Sequence, residues 1–113
     1  MIRASLYRQR DGFVGCRIEG HSDYAEKGRD IVCAAVSALG GTCVNALEQI
    51  CGRAPEIIAN TDGLLEFRLP ELPLKAAHDA QVLMTALERG LKDVHNAYPQ
   101  DIRVERKEWR NTL

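Results

Sequence analysis

This chain lacks an excess of either charge: 15 lysines and arginines stand against 16 aspartates and glutamates, a formal net charge of −1 over 113 residues. That balance gives no general attraction to a phosphate backbone or an anionic lipid surface, which removes nucleic-acid binding as a first reading. The opening residues, Met1-Ile2-Arg3-Ala4-Ser5-Leu6, lack an apolar core of signal-peptide length, and no later apolar run reads as approaching the roughly 20 residues needed to span a bilayer. The expectation is a soluble, cytoplasmic protein. Close cysteine pairs are also lacking: no two of Cys16, Cys33, Cys43 and Cys51 are nearer than eight positions, which argues against a zinc site and against a CxxC redox centre. Without a secretory signal, reduced thiols are expected rather than a disulfide framework. There is no low-complexity tract and no linker. Residues 1–113 read as a single domain, enough chain to hide about two thirds of its unfolded surface in one core.

The patterning gives the element order. Ile2, Ala4 and Leu6 alternate with Arg3, Ser5 and Tyr7, Asp11-Gly12 supplies a turn, and residues 13–20 alternate again with Val14, Cys16 and Ile18 on one face. A hairpin is predicted. Asp30 is a good N-cap for a helix over residues 30–51, whose stripe is Val32, Val36, Leu39, Cys43, Leu47 and Ile50 and whose stop is Gly52. Gly40-Gly41 interrupts that helix at roughly 1 kcal/mol per glycine relative to alanine, and permits close approach by another backbone, such as a second subunit. Residues 55–60 and 64–69 form a second hairpin about Thr61-Asp62-Gly63. A long helix follows over residues 74–98, with Ala76, Ala80, Leu83, Leu87, Leu91, Val94 and Tyr98 on one face, and Ile102 and Val104 lie in a last strand. The order ββαββαβ predicts an α+β fold, two helices covering a mostly antiparallel sheet.

Chemistry concentrates in residues 20–39, GHSDYAEKGRDIVCAAVSAL, where His21 follows a strand and Cys33 falls in the first turn of a helix. A thiol there meets the positive end of the helix dipole and unpaired backbone N–H groups, which favour thiolate. Asp30 opposes this, so His21 is needed as proton acceptor and, once protonated, as the compensating cation. The imidazolium can then protonate a leaving amine while helix-start N–H groups hold an oxyanion. No third member of a triad is evident. Ser37, one turn after Cys33, can hydrogen-bond within the site. The segment carrying Ser22, Tyr24 and Gly28 has few apolar anchors and reads as a loop that orders over substrate.

Plainer explanations stand beside each of these. A cysteine near a helix start is often only a small buried hydrophobe, and a histidine after glycine is often a loop residue. Cys16, Cys43 and Cys51 fall in apolar patterns and read as core. His78 and His95 read as surface or packing residues. Arg103, Arg106, Lys107 and Arg110 are interleaved with Glu105 and Glu108, the pattern of a solvated strand face rather than an RNA site.

The joint GH and DIVCAAVS pattern, with a glycine-containing segment between, resembles the signature of the ribosomal-processing cysteine protease family, Prp. The resemblance implies a bacterial cytoplasmic homodimer that removes a short N-terminal extension from large-subunit ribosomal protein twenty-seven during ribosome assembly. It also implies His21 as general base and Cys33 as nucleophile, supporting roles for Asp30 and Ser37, and an apolar pocket for an aromatic residue before the cleaved bond. No cofactor and no metal are called for. The second reading is a non-catalytic ribosome-associated module that holds a partner segment on a sheet edge or loop. A thiol redox protein is the third.

Overall fold

Alternating apolar residues build the predicted sheet, and two apolar helix stripes cover it. The computed structural model of the chain describes residues 1–21 and 31–109. Its elements are β1 (Ile2–Gln9), β2 (Gly12–Glu19), α1 (Ile31–Cys51), β3 (Glu56–Thr61), β4 (Leu64–Arg68), α2 (Leu74–Ala97) and β5 (Ile102–Glu108), the ββαββαβ order expected of an α+β fold. The strands lie in the order β3-β4-β2-β1-β5. All neighbours pair antiparallel except β1 and β5, which run parallel.

The core forms where both helices meet one sheet face. Ile2, Ala4 and Leu6 of β1, Cys16 and Ile18 of β2, Phe67 of β4 and Ile102 of β5 are buried against Val32, Val36, Cys43 and Leu47 of α1 and Ala80, Met84, Leu87 and Leu91 of α2. Two details of the strand reading change. The β1–β2 turn falls at Arg10-Asp11, with Arg10 in the left-handed region at φ +57°, and Gly12 already pairs with Gln9. A bulge then breaks the register after Tyr7, pairing Arg8 with Phe13 and leaving Val14 between paired residues, so Phe13 takes the buried place expected of Val14. Gln81 of α2 clamps that point, its amide oxygen accepting from Phe13 N at 2.7 Å and its amide nitrogen donating to Phe13 O at 2.8 Å.

The helices differ from their predicted stripes at three residues. Met84, absent from the expected face, is fully buried, whereas Ile50 and Tyr98 are exposed. At 21 residues α1 is long and apolar enough to cross a bilayer by length and composition, which corrects the reading that no run approaches that size. Here its stripe packs on the sheet. A β-carbon on Gly40 would lie 2.8 Å from Leu65 Cδ2 and 3.4 Å from Ile18 Cδ1, so the close approach that this glycine permits is to the chain's own sheet. Gly41 has nothing within 4 Å of that position.

Beyond the core, β5 is not simply a solvated strand. Arg106 reaches α2, donating from Nε to Glu88 Oε2 at 2.7 Å and from Nη2 to Glu88 Oε1 at 2.8 Å, and its guanidinium also stands 5.6 Å from the centre of the Phe13 ring. Glu88 is buried, and these hydrogen bonds hold its carboxyl below the usual carboxylate range. On the outer sheet face Arg17 bridges Glu66, its cross-strand partner, at 2.6 Å, which accounts for a buried glutamate in the otherwise apolar surroundings of β4.

Two outcomes follow for stability. Gly41→Ala, with open space around the added methyl, should stabilise the protein by about 1 kcal/mol, whereas Gly40→Val should cost about 1–3 kcal/mol through overpacking; thermal denaturation checks both. Because the folded pKa of Glu88 is depressed, its contribution is present above the unfolded carboxyl value of about 4.3 and is lost as pH falls through the lower folded value. The melting temperature of Glu88→Gln should therefore fall less than that of the unchanged protein on acidification below about pH 5.

Candidate active site

Beside the buried stripe of α1, a groove of about 410 Å³ opens between that helix and the β3–β4 hairpin. One wall is a single helix face, Cys33, Ser37, Gly41 and Asn45, spaced four residues apart and so stacked turn upon turn. The opposite wall is the hairpin, from Ile57 through Asn60, Thr61 and Asp62 to Leu65, and the floor is Ile2 and Ile18. His21 stands at the same groove as Cys33. The structure thus brings His21, Cys33 and Ser37 to one cavity. Asp30 and the substrate-segment residues Ser22, Tyr24 and Gly28 lie outside the described residues.

Each side chain is placed by a local device. Cys33 is the third residue of α1 and is half-buried, where the first N–H groups of a helix have no partner within it. His21 follows the end of β2 through Gly20, whose φ of +99° lies in the left-handed region and whose missing β-carbon makes room for the carbonyl of Met1. Gly20 N donates to Gly63 O at 2.9 Å, tying the strand end to the β3–β4 turn, and the Met1 amino group donates to His21 O at 2.9 Å. The glycine of the GH pair is therefore a steric requirement of the chain path into the histidine. Among the described residues no hydrogen bond is made by the His21 ring, and no cluster of three or more metal-binding side chains occurs.

The other cysteines differ from Cys33 in setting. No disulfide joins the four. Cys16 is fully buried, and burial pushes its thiol pKa strongly up. Cys43, also buried and 3.9 Å from Met84 Sδ, has its thiol pushed up to about 11 by burial. Cys51, expected as core, is only half-buried; its thiol donates to Ala76 O at 3.4 Å, and desolvation again raises its pKa. His95 packs its Nδ1 2.6 Å from Ile102 O, a structural contact, while His78 is exposed.

What the sequence did not reveal is the hairpin wall. Asp62-Gly63 marks a turn from composition alone, but only the β2–β4 pairing carries that turn back beside Gly20 and His21. Asn45 also went unnoticed, although its position three turns along the Cys33 face was the available signal.

A groove offering a thiol at a helix start and an imidazole on the same surface fits a cysteine hydrolase. Comparison with known proteins gives the family: a profile described as cysteine protease Prp matches residues 1–103, and the chain belongs to that family of ribosomal-processing cysteine proteases. The Prp protease of Bacillus subtilis is 34% identical over 107 residues, which cover 92% of this chain and 96% of the relative. The crystal structure of the Prp protease of Staphylococcus aureus with a substrate peptide superimposes with a TM-score of 0.77 at 25% identity, covering 95% of this chain and 100% of the other. A second structure of that protease, with a covalently linked product peptide, gives 0.79 at 26% identity over the same shares. The chain is a cysteine protease, and the reading as a non-catalytic module gives way.

Differential exposure has a direct chemical readout. Limited iodoacetamide treatment of the native protein near neutral pH should label Cys33 before Cys16 and Cys43, as checked by mapping peptides by mass spectrometry. First labelling at Cys16 or Cys43 would contradict the assigned settings.

Proposed function

We propose that this protease removes the N-terminal extension of large-subunit ribosomal protein twenty-seven during ribosome assembly, with Cys33 as nucleophile and His21 as general base. The observation that carries the reading is the joint presence of the thiol and the imidazole on one groove of about 410 Å³. Relatives named for ribosomal processing, and one of them bound to a substrate peptide, support the substrate class.

In the reaction His21 accepts the thiol proton as Cys33 Sγ attacks the scissile carbonyl carbon. Backbone N–H groups in the first turn of α1 stabilise the oxyanion. Collapse of the tetrahedral species breaks the C–N bond, His21 delivers the proton to the leaving amine, and a thioester remains on Cys33. Water then attacks this thioester, His21 takes its proton, and release of the carboxylate product restores the thiol. A covalently linked product peptide on a relative suits such a path. Ser37 supports from one turn along α1, and the apolar parts of the groove, Ile18, Val36, Val44 and Leu65, suit a bulky apolar side chain. Asp30 is assigned a supporting role beside the nucleophile, and Ser22, Tyr24 and Gly28 a role in holding substrate. The protein acts as a cytoplasmic homodimer, in keeping with the family resemblance; an apolar channel of about 560 Å³ between α1 and α2, lined by Ala35, Ala38, Ala86 and Gly90, supplies unpolar surface away from the groove.

Purified protein incubated with a peptide carrying the host ribosomal N-terminus should yield two fragments by mass spectrometry. Cys33→Ala should abolish cleavage while leaving peptide binding, and His21→Ala should lower kcat by about 10²–10⁴-fold. Turnover surviving the loss of Cys33 overturns the reading.

A further inference from the structure

We propose that Gly63, in the turn between β3 and β4, is a positioning residue for the His21 imidazole; the proposal rests on the reading of His21 as the base. A β-carbon built on Gly63 would run into His21 Nε2, and its next nearest atoms are Cε1 at 2.9 Å and Cδ2 at 3.2 Å of the same ring. All three nearest contacts therefore belong to one imidazole, which rests directly on the Gly63 α-carbon. The turn is also fastened to the backbone leading into that ring, because Gly63 O accepts the hydrogen bond from Gly20 N at 2.9 Å. With no hydrogen bond to the ring among the described residues, this van der Waals seat is what the turn contributes to its orientation. A side chain here takes the space that the ring occupies and displaces the end of a rotatable side chain, leaving the fold in place.

Gly52 supplies an internal control. It has φ +78° against +79° for Gly63, so a substitution imposes the same left-handed backbone cost at either site. Yet nothing lies within 4 Å of a β-carbon on Gly52. The two positions share a positive φ and differ in what a β-carbon would meet. Asparagine is the test residue because it tolerates the left-handed region better than other side chains.

Gly63→Asn and Gly52→Asn are compared with the unchanged protein by melting temperature, peptide cleavage and the NMR signal of the His21 ring, assigned by its loss in His21→Ala. Gly63→Asn should lower kcat by about 10-fold or more, with KM within about twofold, as expected for a misplaced catalytic group. It should also move the His21 Cε1–H resonance, whereas Gly52→Asn should leave both kcat and that resonance unchanged. In a His21→Ala background Gly63→Asn should add less than about a twofold change in the alkylation rate of Cys33. An unmoved His21 resonance in Gly63→Asn, an unchanged kcat, or an equal loss in Gly52→Asn overturns the proposal. If Gly63→Asn does not fold, Gly63→Ala is read by the same resonance at low temperature. Failure of the unchanged protein to cleave the peptide counts against the function; the ring resonance still decides the role of Gly63.

Discussion

The site depends on how close α1 lies to the sheet. Cys33 belongs to the helix and His21 to the strand end, so their relation is set by the packing between two layers that carry them separately. Gly40 has no side chain where α1 passes over Leu65 and Ile18, and the helix lies at a distance where a β-carbon would press on the Leu65 side chain. Ser37, Gly41 and Asn45 of the same helix line the groove opposite the β3–β4 hairpin. The core and the groove therefore share one helix.

The charged residues complete this layering. Arg106 joins the edge strand β5 to α2 through Glu88, and Arg17 joins β2 to β4 through Glu66 across the opposite sheet face. Both glutamates are buried and both are met by guanidinium donors, so each carboxylate keeps hydrogen bonds in place of water. Each pair has an exposed or half-exposed arginine, which limits what it adds to stability.

Much of this was legible in the residue pattern. Period-two alternation in β1 and β4, and the three-and-four spacing in α1, follow from which side chains must leave water, and they specify the ββαββαβ order. Phe13 escaped because a bulge moves one residue across the sheet, which binary patterning cannot register. Arg106 was read as solvated because its partner Glu88 is distant in sequence and lies on another element. For the groove, the GH and DIVCAAVS segments pointed to His21 and Cys33, but the place of the turn at Gly63 depends on long-range pairing of β2 with β4, and local sequence holds no record of that neighbour.

The parallel pairing of β1 with β5 bears on how the chain is made. Strand β1 lies between β2 and β5, yet residues 2–8 meet residues 102–108, so one side of an interior strand stays open until residues 102–108 have emerged. Hairpins and helices can form during synthesis, but the β1–β5 pairing closes a long loop and carries its entropic cost. A polypeptide truncated ahead of β5 exposes the backbone edge of β1, a template for unwanted association.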